Sequence, residues 1–155
     1  PPPHLEIEVT ESVAMRNPDV VRERISLLRQ LGIRFAMDDF GAGYSNLSTM
    51  ARLPFDAVKL DRTLVAGVAG DREKQTILRL ALGLADELGF ETVVEGVETA
   101  EDLRFAAENG ATMAQGYIFS PPLPLEEFAV LLQPTLLAVE LVPRRDGAER
   151  KTMIR

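Results

Sequence analysis

Carboxylates and their amide or ammonium companions recur where short apolar runs end: Glu8, Thr10 and Glu11; Asp38 and Asp39; Lys59 and Asp61; Glu95 and Glu98; and Gln115. If these runs are strands of one sheet, Glu8, Asp38, Asp39 and Glu95 converge on a small volume. Carboxylates that close cannot all stay ionised without compensation: either their pKa values rise or cations sit among them. Hard oxygen donors with one Lys and no Cys or His in the set suit Mg²⁺ or Mn²⁺ rather than zinc. Adjacent Asp38 and Asp39 can bridge or serve two ions, and paired ions activate water and clamp an in-line phosphoryl displacement. Lys59 then orients the nucleophile or offsets phosphate charge. Taken singly, each piece has an ordinary explanation. An Asp-Asp pair in a loop is commonly solvated or capping, a strand-end Lys is usually a surface residue, and Glu-Gly-Val-Glu usually starts a helix. Glu6 and Asp61 read as structural, and His4, the single histidine, stands before the first strand and reads as incidental. The coincidence of polar sets at successive strand ends is what points to a metal-dependent site.

The elements that must position these groups follow from periodicity. Leu5–Val9 alternates apolar and acidic residues as a strand, with Glu6 and Glu8 on one face. Asn17-Pro18 opens a helix that Gly32 ends. Ile33–Met37 reads as a buried strand, apolar except for Arg34, running into a turn-rich loop from Asp38 to Gly43. A short helix near Leu47–Arg52 precedes a strand at Ala57–Leu60. Asp71–Leu88 is an amphipathic helix, Glu91–Val94 a strand, Thr99–Asn109 a helix, Thr112–Ala114 a short strand and Pro124–Leu132 a final helix. Strands alternating with helices imply parallel βαβ units with right-handed crossovers, in which polar groups gather at the C-terminal strand ends.

Composition sets the class. The 155 residues are 46% hydrophobic and 26% charged, ordinary for a soluble globular domain. No apolar run approaches the ~20 residues of a membrane helix, no signal-peptide pattern opens the chain, and there is no cysteine. A reducing cytoplasm is the expected location, although other domains of a parent protein can tether it to a membrane. A net charge of −7 makes the chain a poor non-specific binder of DNA. Pro1-Pro2-Pro3 reads as a linker remnant. Residues 1–133 are read as domain, and 134–155, basic and polar at the end, as a mobile tail.

Five segments in order carry a family resemblance: Glu8-Val9-Thr10-Glu11-Ser12, Asp38-Asp39-Phe40-Gly41-Ala42-Gly43-Tyr44-Ser45, Val58-Lys59-Leu60-Asp61, Val94-Glu95-Gly96-Val97-Glu98-Thr99 and Gln115-Gly116-Tyr117. They resemble successive signatures of EAL-type cyclic-di-GMP phosphodiesterase domains, over about Leu5 to Leu132. The resemblance implies an α/β fold of (β/α)₈ TIM-barrel type. It implies bacterial signalling through hydrolysis of one phosphodiester bond of cyclic-di-GMP, giving linear pGpG, with two Mg²⁺ or Mn²⁺ ions. By motif position, Glu8, Asp38 and Asp39 resemble metal ligands, with Asp38 bridging and Asp39 on the second ion. Glu95 resembles a second-metal ligand or the general base, and Lys59 the residue that contacts the attacking water or an oxygen held by the metals. Glu98, Gln115 and Asp61 resemble supporting or substrate-side residues. The stretch from Asp39 to Ser45 resembles the loop that helps hold the metals and links to a dimer surface, with Glu11 and Ser45 anchoring it, so a homodimer is expected.

The family's Glu-Ala-Leu strand, an Arg shortly after it and a strand bearing an Asn ligand belong upstream of Leu5 and are not in this sequence. About five βα units are present. The expectation is therefore a C-terminal fragment of an EAL domain with negligible hydrolysis alone. The alternative is a non-catalytic EAL-like module that binds cyclic-di-GMP or a protein partner. A different metal-dependent barrel hydrolase is a third, remote reading.

Overall fold

A computed structural model describes residues 4–41, 47–131 and 153–154. Strands β1 (Glu6–Thr10), β2 (Arg34–Phe40), β3 (Ala57–Leu60), β4 (Glu91–Val94), β5 (Met113–Ala114) and β6 (Met153–Ile154) form one sheet in sequential order. Every neighbouring pair is parallel. Helices α1 (Glu11–Arg16), α2 (Pro18–Arg29), α3 (Leu47–Met50), α4 (Arg62–Val65), α5 (Arg72–Glu87), α6 (Ala100–Glu108) and α7 (Leu125–Leu131) lie between or after the strands. This is the α/β alternation expected of part of a (β/α)₈ barrel.

Register explains the two faces of the sheet. Glu6 pairs with Arg34, Glu8 with Ala36, Ala36 with Ala57, Ala57 with Glu91 and Lys59 with Val93. Residues in register on parallel strands point the same way, and alternate residues share a face. One face therefore carries Glu6, Glu8, Arg34, Ala36, Asp38, Ala57, Lys59 and Glu91. The opposite face carries Ile7, Val9, Phe35, Met37, Val58, Leu60 and Val94, which pack into the core with Ile25 of α2, Leu78, Leu82 and Ala85 of α5, and Ala106 of α6. The core lies between sheet and helices, and the polar face is left for chemistry.

Helix starts follow their capping residues. Asp71 accepts from the amides of Glu73 and Lys74 to begin α5, and Thr99 accepts from Asp102 N to begin α6. At the start of β4 and β5, Thr92 and Thr112 exchange reciprocal bonds, each hydroxyl accepting from the other residue's amide at 3.0 and 2.9 Å.

Three expectations are corrected. Asp38 and Asp39 do not stand in a loop, because β2 continues through Phe40. Two other helical segments were not anticipated: α1 directly after β1, and α4 followed by a 3₁₀ turn at Val68–Gly70. Each is too short to show helical periodicity. The sheet also has a sixth strand, since Met153–Ile154 pairs with β5. The rest of the expected tail, and Ser45 with its neighbours 42–46, lie outside the described residues.

Candidate active site

The end of β2 contains a bulge. Met37 pairs with Val58 and Phe40 with Leu60, so β2 spends one residue more than β3 over the same span. Asp39 takes up the extra residue with a φ of 58°, in the left-handed region that Asp tolerates better than most side chains. Asp38 thereby keeps the polar face beside Lys59, Phe40 drops into the core, and Asp39 is turned out to solvent.

Lys59 is the centre of the site. Its Nζ lies 2.9 Å from Glu8 Oε1, 3.1 Å from Asp38 Oδ1 and 2.9 Å from Glu95 Oε1. These groups come from β1, β2 and the residue just after β4, so three separate segments meet on one ammonium. Burial alone would depress the Lys59 pKa. The hydrogen bonds to Glu95, Glu8 and Asp38, with the charge of Glu95, outweigh it and hold the pKa above the ordinary lysine value. Asp38 Oδ1 is buried, and the Lys59 ammonium faces it at 3.1 Å.

A second ionic tier occupies the opposite end of the same face. Arg34 reaches Glu6 Oε2 at 3.3 Å and also pairs with Glu91. Arg34, the odd charge in an otherwise apolar run, thus ties the starts of β1, β2 and β4 together. Its position two and four residues before Ala36 and Asp38 was the available signal. Glu6 belongs to this tier.

The remaining predicted residues sit around the rim in other roles. Glu11, at the start of α1, is buried, and its Oε2 accepts from Gly41 N at 3.3 Å, joining α1 to the chain that leaves β2. Asp61 caps α4, and hydrogen bonds from the Thr63 hydroxyl and amide hold its carboxyl below the usual range. Glu98 pairs with Arg62 Nη2 at 2.5 Å on the surface. Gln115 is exposed, while its backbone bonds Val94 O and Val97 N. Asp39, Asp61, Glu98 and Gln115 enter none of the ion pairs of Lys59. Sequence reading had passed over Arg34, Arg62 and Asp102.

Whether these groups suit a divalent cation has two parts. In kind they fit: the anionic donors are all oxygens. In arrangement the carboxylates are spaced around the ammonium. Among the described residues no group of three or more His, Cys, Asp or Glu side chains is placed to hold an ion.

A family model for the EAL domain matches residues 1–122. The cyclic di-GMP phosphodiesterase NbdA of Pseudomonas aeruginosa is 42% identical over 127 residues, which are 80% of this chain and 16% of NbdA. Among solved structures, the EAL domain of DcpA from Mycobacterium smegmatis superposes with a TM-score of 0.80 at 36% identity, covering 85% of this chain and 59% of that one. A manganese and cyclic-di-GMP complex of Klebsiella pneumoniae BlrP1 does so with a TM-score of 0.72 at 38% identity, covering 78% and 31%. The chain thus spans about a sixth of the length of its curated relative NbdA. With the motifs in order, the fold matched and the family model covering most of its length, this chain belongs to the EAL domain family.

Proposed function

We propose that this sequence forms the C-terminal part of a domain that hydrolyses one phosphodiester bond of cyclic-di-GMP to give linear pGpG, using Mg²⁺ or Mn²⁺. The observation that carries the reading is the meeting of Glu8, Asp38 and Glu95 on Lys59. One ammonium opposite three carboxylates invites further positive charge, and a divalent cation supplies it. When bound, a pair of such ions activates water and draws charge from the phosphate. Glu8, Asp38, Asp39 and Glu95 are the residues that would hold these ions. Lys59 directs the water or offsets phosphate charge, and Glu95 is the alternative general base. Asp39, exposed on its bulge, is accessible from the rim. Glu98, Gln115 and Asp61 support the substrate side, and Glu11 steadies the chain after β2.

The relatives' cyclic-di-GMP chemistry and the manganese and calcium complexes of BlrP1 support the same choice of substrate and ion class. We place the protein in the cytoplasm as a homodimer within a longer signalling protein. Among the described residues no helix is long and apolar enough to cross a membrane. One observation favours a second reading, a non-catalytic module that binds cyclic-di-GMP or a protein partner: the described carboxylates are not spaced to ligate an ion.

The test is product analysis on a complete EAL domain carrying this sequence. Cyclic-di-GMP should give linear pGpG, EDTA should stop the reaction, and Mn²⁺ or Mg²⁺ should restore it. Tight cyclic-di-GMP binding with no product at any metal concentration would favour the non-catalytic module instead.

A further inference from the structure

The exits of β3 and β4 are joined at more points than sheet pairing requires. Glu95 N donates to Leu60 O at 3.1 Å, which carries the β3–β4 ladder one bond past β4. From the same exit, Lys59 Nζ holds the Glu95 carboxylate at 2.9 Å. Gly96 then turns the chain with a φ of +67°. At this turn the β3 exit supplies a further hold, Arg62. A Cβ on Gly96 would lie 2.3 Å from Arg62 Cγ, 2.7 Å from its Cβ and 2.8 Å from its Cδ, so the arginine stem runs across the α-carbon of that glycine. The guanidinium goes on to Glu98, with Nη2 at 2.5 Å from Oε1. One side chain thus spans the turn from Gly96 to Glu98. The other side of the turn is fixed by Val97 N, which donates to Gln115 O at 3.1 Å.

As an ion pair, Arg62 with Glu98 adds little to the folded state. The two side chains are 65% and 44% exposed, and pairs so open to solvent contribute weakly. Its effect is local, on the turn that it spans. We propose that Arg62 is a positioning residue for Glu95: its stem and its pairing with Glu98 hold the turn that aims the Glu95 carboxylate at the Lys59 ammonium. The proposal rests on the reading that Glu95 acts in hydrolysis and deepens it, since Glu98 then serves as the anchor of Arg62. A loosened turn lets the carboxylate leave its place, and small misplacement of a reacting group is costly to rate. The loss therefore falls on kcat rather than on KM.

The experiment is a double-mutant cycle on pGpG formation with saturating Mn²⁺, in a complete EAL domain carrying this sequence, using Arg62→Ala, Glu95→Ala and the pair. Arg62→Ala should lower kcat by about tenfold or more, with KM within about a factor of two. Its melting temperature should stay within about 3 °C of wild type. Arg62→Lys, which keeps a stem and a charge, should recover most of the loss. In the Glu95→Ala background, Arg62→Ala should change kcat by less than about a factor of two, because nothing is left to position. An equal loss in both backgrounds, or wild-type kcat in a folded Arg62→Ala, overturns the proposal and leaves the hydrolase reading standing. If Arg62→Ala does not fold, Glu98→Ala takes its place in the cycle with the same expectations. If wild type forms no pGpG, the hydrolase reading fails, and amide hydrogen exchange decides the hold on the turn. Exchange at Glu95 and Val97 should then quicken at least about tenfold in Arg62→Ala while amides within β3 and β4 keep their protection. Unchanged exchange at Glu95 and Val97 overturns the proposal as well.

Discussion

Asp102 shows how a single buried carboxylate holds a segment that helical and strand periodicity do not describe. It is 1% exposed and accepts from Gly67 N at 3.1 Å and Ala69 N at 2.8 Å, clamping the 3₁₀ turn between α4 and α5 to the start of α6. Burial would raise its pKa. The Ala69 amide, Thr99, the Gly67 amide and the charge of Lys74 outweigh that and hold it below the ordinary value. Replacing Asp102 by Ala strands two amides and should cost about 3 kcal/mol of unfolding free energy, measured by urea denaturation at pH 7. The pH dependence has a definite sign. A carboxyl whose folded pKa is depressed contributes stability that is present above its unfolded pKa, about 3.9, and lost as pH falls through the folded value. The gap in stability between wild type and Asp102→Asn should therefore be constant above about pH 5 and shrink in stronger acid. A gap that widens below pH 4 would contradict the assignment. In sequence nothing marks Asp102, because the amides it satisfies lie more than thirty positions earlier.

The elements that build the rim depend on two glycines with different reasons for being glycine. A Cβ on Gly116 would lie 2.1 Å from Val97 O and 2.3 Å from Val97 N, so the chain after β5 presses directly on the backbone after β4. Backbone cannot rotate away, and Gly116→Ala should cost about 3 kcal/mol or more, lowering the melting temperature by roughly 6–12 °C. Gly96 has a φ of +67°, and its added Cβ would lie 2.3 Å from Arg62 Cγ and 2.7 Å from Arg62 Cβ, the base of that side chain rather than its free end. Gly96→Ala should therefore cost about 3 kcal/mol or more, from the left-handed backbone and the displacement of Arg62 together. A melting temperature within about 2 °C of wild type for either variant would refute the close approach assigned to it. Much at this scale was legible beforehand: β3 and β4 fall where their apolar runs lie, and α5 and α6 where their caps and periodicity put them. The bulge was not legible. Asp38-Asp39-Phe40-Gly41 has turn composition, and only pairing with β3 extends the strand through it. Short α1 and α4 escaped for want of a full period of side chains.

For the whole molecule, the sheet's polar face is organised as two ionic tiers with small or apolar residues between them. Arg34 with Glu6 and Glu91 closes one end, and Lys59 with Glu8, Asp38 and Glu95 forms the other. Strand alternation places Glu8, Asp38 and Lys59 on that face, which is why the cluster could be anticipated from strand ends alone. What could not be anticipated is that the ammonium, rather than an empty point, is where they meet. The arrangement needs four consecutive segments, so the chemistry belongs to the assembled rim and not to any one motif. The most direct test is the rate of pGpG formation from cyclic-di-GMP with saturating Mn²⁺, in a complete EAL domain carrying this sequence, for wild type and Glu95→Ala. Turnover in Glu95→Ala should fall by at least about a hundredfold while the thermal melt stays close to that of the wild type. Turnover within a factor of about two of wild type, in a folded variant, would contradict a catalytic centre at this rim.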